Sequence, residues 1–342
     1  MKRLPFLLLF FCSAPGAFSQ QKEDRLFDEK KPLDITLQVS IDQIRESKAD
    51  STDVPGVLFY KNDKETFDSV KVNFRSRGNF RLNECYFPPT NIKFKSTDSK
   101  GSLFEGTKKI KLVLPCQPQG DGATLILKEY LCYKLYQVIT PYALKARLVN
   151  IDFTSKLKKN DKQFKLRGII LEDGDKLAKR FDSKIAENVT ASPNALQDTA
   201  DLKMSFFQFM ISNTDWSSAY QHNIELIQPK TGRFIPVAYD FDMSGLVDAP
   251  YAVVSQAGNE QLPVNSVRDR VYRGWCRAED VTQLIRQEFL AKEAELMAVP
   301  DEIKQDLPEK TYKEVKQYLQ SFFAILKDDI QFKKKMMGDC RK

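Results

Sequence analysis

The segment 213–242 constrains this chain more than any other. It opens Asn213-Thr214-Asp215-Trp216, continues to His222-Asn223, and ends Asp240-Phe241-Asp242. Two short apolar runs, 224–227 and 234–239, lie between the last two motifs, separated by Gln228-Pro229-Lys230-Thr231-Gly232. Two strand-like runs around a Gly-containing turn predict a β-hairpin. A hairpin folds its open ends together, so Asn223, Asp240 and Asp242 come to one edge, with Asp215 on the loop just before it. Three carboxylates and one amide oxygen then converge. Oxygen-only donor sets of this kind suit Mg²⁺ or Mn²⁺ rather than zinc. Each residue taken alone is an ordinary turn residue, because Asp and Asn side chains bond nearby backbone. Turn chemistry does not, however, require three separate polar positions around one hairpin.

The chain has a single histidine, His222. Multi-histidine metal centres are therefore excluded, and a Ser-His-Asp or Cys-His hydrolase would have to run through that one ring. Its place directly before Asn223 suits a hydrogen bond that fixes the loop better than general-base work. A polysaccharide-active enzyme would need a carboxylate pair, for which Asp215 and Asp240 are candidates, but it gives Asn223 no role.

The N-terminus reads as a secretory signal at 1–19: Lys2 and Arg3, a short apolar run, then small residues at Ala17-Phe18-Ser19. The run is too short to span a bilayer, and no other stretch is long and apolar enough. The expected product is secreted or periplasmic, with no membrane span. Removing Lys2 and Arg3 lowers the net charge from +7 to +5. Basic and acidic residues interleave, so nucleic-acid binding is not indicated. Export permits disulfides. The loop-like surroundings of Cys85 and Cys116 favour that pair, with Cys276–Cys340 as the second, and Cys132 falls in a helical pattern as a packed thiol.

Along the chain, a flexible leader at 20–32 precedes a strand-rich half, 33–172. Alternation at 35–39, 70–75, 91–95 and 110–114 predicts half-buried antiparallel strands, and 146–153 and 163–171 predict two more. A helix at 123–138 interrupts them, with Leu127, Leu131, Leu135 and Val138 on one face. The half at 173–342 is mainly helical, with helices predicted at 175–181, 201–212, 278–297 and 308–327. The fold class is α+β: a β-rich N-terminal lobe and a mainly helical C-terminal lobe that carries the acidic hairpin, with a ligand cleft between them.

These elements follow an order that resembles CotH-type spore-coat kinase-like proteins. The resemblance rests on Arg75-Ser76-Arg77-Gly78-Asn79, Leu103-Phe104, the strand around Lys111 and the helix around Lys128. It continues through Arg147-Leu148-Val149, Arg167-Gly168-Ile169-Ile170-Leu171-Glu172, and the Asn213-x-Asp215, His222-Asn223 and Asp240-Phe241-Asp242 motifs. It covers roughly residues 70–245. It implies a two-lobed protein-kinase-like fold that transfers phosphate from ATP to protein Ser or Thr with Mg²⁺ or Mn²⁺. By that similarity Asp215 takes the catalytic-loop role, and Asn223 and Asp240 hold the metal. Asp242 stands where kinases have Gly and either adds a ligand or caps a turn. Phosphoryl transfer needs positioning and charge neutralisation more than covalent chemistry, so these residue types suffice. Lys111 is the candidate for the inner phosphates, with Glu129 orienting it, although strand lysines usually face water. Arg75 and Arg77 share a strand face and can meet phosphate oxygens or pair with nearby acids. The pattern departs from ordinary kinases in two ways. Asp215 precedes Asn223 by eight residues instead of five, and there is no G-x-G-x-x-G loop. A catalytically degenerate binding or assembly protein of the envelope or extracellular space is the alternative reading.

Overall fold

The computed structural model describes residues 25–49, 52–62, 64–78, 80–156, 160–255 and 262–342. The signal segment, the first part of the leader and Asn79 lie outside the described residues. Seven strands form a closed barrel: β1 (Leu33–Val39), β2 (Val54–Lys61), β3 (Phe67–Ser76), β4 (Thr90–Phe94), β5 (Lys109–Val113), β6 (Ala146–Ser155) and β7 (Lys162–Leu171). Their order is β1-β2-β3-β4-β5-β7-β6. All pairings are antiparallel except the one that closes the barrel, where β1 runs parallel to β6 with Leu33 opposite Val149. A purely antiparallel sheet was expected. The parallel seam arises because β1 is the last free edge that β6 can meet, and closure removes both edges.

Strand alternation fills the barrel. Along β1, Leu33, Ile35, Leu37 and Val39 point inward between half-exposed neighbours. They meet Phe74, Ile92, Phe153 and, from the connection before β4, Phe87. Each such burial stabilises by roughly 1.5–3 kcal/mol. The leader is less free than expected. Leu26 and Phe27 are buried, and Arg147 on β6 donates to the carbonyls of Leu26 and Lys31 and pairs with Glu29 at 2.6 Å. Two apolar side chains and one buried guanidinium therefore hold residues 25–31 on the barrel.

β2 is not among the strands predicted from alternation, and Pro55 and Gly56 are residues that strands disfavour. Gly56 makes room for the core. A Cβ there would lie 2.7 Å from the Phe74 ring and 2.9 Å from the Gln38 carbonyl oxygen. Neither the ring, packed on all sides, nor the strand backbone can retreat cheaply. We expect Gly56→Ala to destabilise by about 1–3 kcal/mol, the usual penalty of overpacking. A denaturant midpoint unchanged in that variant contradicts this packing.

The helix Gly122–Ile139 leaves the barrel after β5 but belongs to a second core. It is buried nearly all round, so the single apolar face predicted for it is too narrow a description. Its tyrosines stack into the helical half: Tyr136 lies 4.5 Å from the Phe207 ring and Tyr133 4.7 Å from the Phe241 ring. The helices Asp198–Met210, Glu279–Ala291 and Glu309–Lys327 complete this core through Phe206, Phe209, Phe289 and Phe322. A three-stranded sheet of β8 (Lys184–Ala186), β9 (Ile224–Gln228) and β10 (Ile235–Ala238) sits in it, with β9 central. Both expected disulfides are present, Cys85–Cys116 and Cys276–Cys340, and Cys132 is a buried free thiol. Among the described residues no helix is long and apolar enough to cross a membrane.

Candidate functional site

β9 and β10 form the predicted hairpin, with Ala238 opposite Ile224. The Tyr239 N–H donates to the Asn223 carbonyl at 3.1 Å, so the chain positions just outside the ladder stay together. Asn223 and Asp240 both adopt the left-handed region, with φ of 53° and 63°. Asn and Asp tolerate that region better than other non-glycine residues, and such conformations gather at functional sites.

Asp215 is the most closely held group of the site. Its Oδ1 lies 2.9 Å from His222 Nε2 and accepts from Ser255 Oγ at 3.0 Å. Its Oδ2 accepts from Asn223 Nδ2 at 2.9 Å, and its N–H donates to Asn213 Oδ1 at 2.9 Å. Burial works to raise the Asp215 pKa, but the His222 hydrogen bond and charge prevail and hold the carboxyl below its ordinary value. The same bond raises the His222 pKa. The Asn223 amide nitrogen is committed to Asp215, so its Oδ1, on the other arm of the amide, points away from that carboxylate. The Ser255 hydroxyl donates to the Asp215 carboxylate, whereas in a hydrolase triad the serine donates to the imidazole.

The acids of the Asp240-Phe241-Asp242 motif meet two arginines that follow β3, Arg77 just past the strand and Arg81 on the short helix Phe80–Glu84. Arg77 Nη1 is 4.0 Å from Asp240 Oδ2, and Arg81 Nε is 3.7 Å from Asp242 Oδ2. Tyr251 OH donates to Asp242 Oδ2 at 3.1 Å, and the Asp240 N–H donates to Tyr133 OH at 3.0 Å. Phe241 between them is fully buried and anchors the motif in the helical core. Asp242 is buried, and that burial, then the charge of Asp240, raises its pKa. Glu129 from the Gly122–Ile139 helix is buried beside them, and desolvation followed by the Asp242 charge raises its pKa, with Arg81 opposing.

One expected pairing differs, that of Lys111 with Glu129, and Arg75 takes the second of its two expected partners, a nearby acid. Lys111 Nζ pairs with Glu225 Oε1 at 2.6 Å and lies 4.3 Å from the Tyr239 ring centre, so Glu225 on β9, and not Glu129, orients it. Helix packing instead buries Glu129 within reach of the charges of Asp242, Arg81 and Arg77. A Cβ at Gly174 would collide with the Glu225 carboxylate, so a residue without a side chain shapes its seat. Arg75 shares the outer face of β3 with Arg77, but Asp53 takes its Nε at 2.7 Å and also binds Lys93 at 2.8 Å. Arg75 is therefore held on the barrel surface. Arg81, Glu225, Tyr251 and Ser255 were not foreseen. The only hint in the sequence was Glu225 itself, a lone acid inside an apolar strand.

Several buried polar atoms here have no hydrogen-bond partner: Arg77 Nε, Arg81 Nε, Glu129 Oε1 and Glu225 Oε2. Orphaned buried polar groups are uncommon and ask for a ligand, ion or water. Among the described residues no group of three or more His, Cys, Asp or Glu side chains is arranged to hold a metal ion. Two acids and one amide do fall within what Mg²⁺ takes from a protein when phosphates and water complete its shell. Comparison with known protein families and with curated proteins returns no match for this chain.

Proposed function

We propose that this is an exported CotH-like phosphotransferase of kinase-like, two-lobed build, using ATP with Mg²⁺ or Mn²⁺ and acting on a protein Ser or Thr. What supports the reading is that Asp215, braced by His222 and Asn223, belongs to the same hairpin end as Asp240 and Asp242, which face Arg77 and Arg81. The barrel serves as the N-terminal lobe and the helical half as the C-terminal lobe.

Asn223, Asp240 and Asp242 are the residues that would hold the divalent ion, whose chemistry is to neutralise phosphate charge in the transition state. Arg77 and Arg81 add fixed positive charge beside Asp240 and Asp242. Lys111, held by Glu225, addresses the inner phosphates. Asp215 orients the acceptor hydroxyl and takes its proton, with His222 keeping the carboxylate ionised and aimed.

One observation favours the alternative, a kinase-shaped binding protein without turnover. Lys111 is already neutralised by Glu225, and Asp242 by Arg81 and Tyr251, so part of the machinery is paired within the protein. Labelled ATP, incubated with purified protein and an acidic protein acceptor with and without Mn²⁺, separates the two. The proposal expects Mn²⁺-dependent label in protein. Nucleotide binding without any transfer supports the alternative. In a companion measurement, ATP with Mn²⁺ raises the melting temperature of the wild type, because a ligand bound only to the folded state stabilises it. Asp240→Ala is expected to abolish that rise, and an equal rise in both proteins removes Asp240 from the site.

A further inference from the structure

Ser255 has no part in the scheme above, yet its hydroxyl occupies the place an acceptor hydroxyl needs. Its Oγ donates to Asp215 Oδ1 at 3.0 Å, within the range for proton transfer to a general base. Its backbone is fixed there, since the Ser255 N–H donates to Thr214 Oγ1 at 3.1 Å, on the residue next to Asp215. The segment reaches the site from Asp242, passing Tyr251, whose hydroxyl binds the Asp242 carboxylate. Ser255 is therefore held at Asp215 by its own hydroxyl and N–H, and Tyr251 of the same segment is held at Asp242.

Occupancy at Asp215 sharpens the point. A carboxylate oxygen offers about two acceptor sites. Oδ1 already serves His222 Nε2 and Ser255 Oγ. A hydroxyl from another protein that seeks Oδ1 must displace one of them. Ser255 is also only 8% exposed, so an acceptor site on a second molecule cannot readily present it to a separate enzyme.

We infer that Ser255 is the chain's own phosphoryl acceptor, modified in cis at Asp215. This rests on the phosphotransferase reading of the same site. In the step, Ser255 Oγ bonds to the γ-phosphorus of ATP, and the bond from that phosphorus to the bridging oxygen of ADP breaks. ADP leaves with the electron pair, and the hydroxyl proton passes to Asp215 Oδ1 and then to solvent. The product carries a dianionic group next to Asp215 and near Asp240, so like-charge repulsion drives residue 255 off the carboxylate and opens Oδ1 to an outside acceptor.

The test is phosphosite mapping by mass spectrometry of the full chain after incubation with ATP and Mn²⁺, at several protein concentrations, with Asp215→Asn and Ser255→Ala in parallel. The expected result is phosphate on Ser255 in the wild type, at a fractional rate independent of protein concentration, and none on Ser255 in Asp215→Asn. Transfer to an added acceptor while Ser255 stays unmodified overturns the inference and leaves the phosphotransferase reading standing. A rate that scales with protein concentration overturns the cis route. Absence of transfer to any residue or acceptor overturns both readings. Ser255→Ala controls the site assignment: if the same phosphopeptide signal persists in it, the acceptor lies elsewhere.

Discussion

Replacing Asp215 with asparagine is expected to slow phosphoryl transfer by about 10²- to 10⁴-fold, the range that a positioned acid or base contributes. The amide keeps the shape of the side chain and can still meet Asn223 and Ser255. It cannot take a proton, and it gives up the charge that His222 stabilises. The effect belongs in kcat, because Asp215 lies on the acceptor side and not on the phosphates assigned to Lys111, Arg77 and Asp240. Nucleotide-dependent stabilisation in the presence of Mn²⁺ is therefore expected to persist in Asp215→Asn. Equal kcat in the variant and the wild type contradicts the assignment, and so does a variant that loses nucleotide binding and transfer together.

Arg277→Ala is expected to destabilise the folded chain by about 3–5 kcal/mol, the cost of leaving a buried charge without its partner. Arg277 donates to Asp201 Oδ2 through Nε at 3.1 Å and Nη2 at 2.8 Å, to Asp198 at 2.8 Å, and to the Pro193 carbonyl at 2.8 Å. The Asp201 side chain is 1% exposed. These bonds fasten the residue beside the Cys276–Cys340 disulfide to the start of the Asp198–Met210 helix, which leads directly to Asn213 and Asp215. Burial raises the Asp201 pKa to about 6 while Arg277 opposes it. Loss of Arg277 removes that opposition and raises it further. An acid whose folded pKa exceeds its unfolded value holds more protons when folded, so stability falls as pH rises from the unfolded value through the folded one. The deficit of Arg277→Ala should therefore be larger at pH 8 than at pH 5, read from denaturant midpoints. The double variant Asp201→Ala/Arg277→Ala should lose less than the sum of the two single variants, because the pair is coupled. A single-variant loss below about 1 kcal/mol, or additive losses, contradicts this account of the anchor.

Much of the architecture was legible because its signals are local. Period-two alternation marked β1, β3 and β4, since one face of each is buried in the barrel; β5 alternates in sequence too but is buried on both faces, Lys111 included. The hairpin was legible from Pro229 to Gly232 between two apolar runs, and so was the meeting of Asn223 with the neighbourhood of Asp240. Barrel closure was not. It depends on β1 finding β6, with Leu33 opposite Val149, and nothing near either strand encodes that match. β2 was masked because Pro55 and Gly56 are residues that strands disfavour, and only the fold shows that Phe74 needs the space at Gly56. The site divides along the same line. Contacts within 213–242 followed from spacing, whereas the Lys111–Glu225 pair joins residues 114 apart and the Arg81–Asp242 pair bridges the barrel and the hairpin. Glu129 was expected beside Lys111 as a helix acid orienting a strand lysine, a pairing no local pattern encodes. Packing of the Gly122–Ile139 helix buries it instead within reach of the charges of Asp242, Arg81 and Arg77.

A hard cation and the phosphates of a nucleotide are expected between the open end of the hairpin and the arginines that follow β3. A crystal of the protein soaked with Mn²⁺ and a non-hydrolysable ATP analogue addresses it directly, because manganese scatters anomalously. The account predicts an anomalous peak within coordination distance of Asp240 and the Asn223 amide oxygen, with phosphate density reaching toward Lys111. Manganese bound only elsewhere, or a nucleotide bound away from these residues, contradicts it.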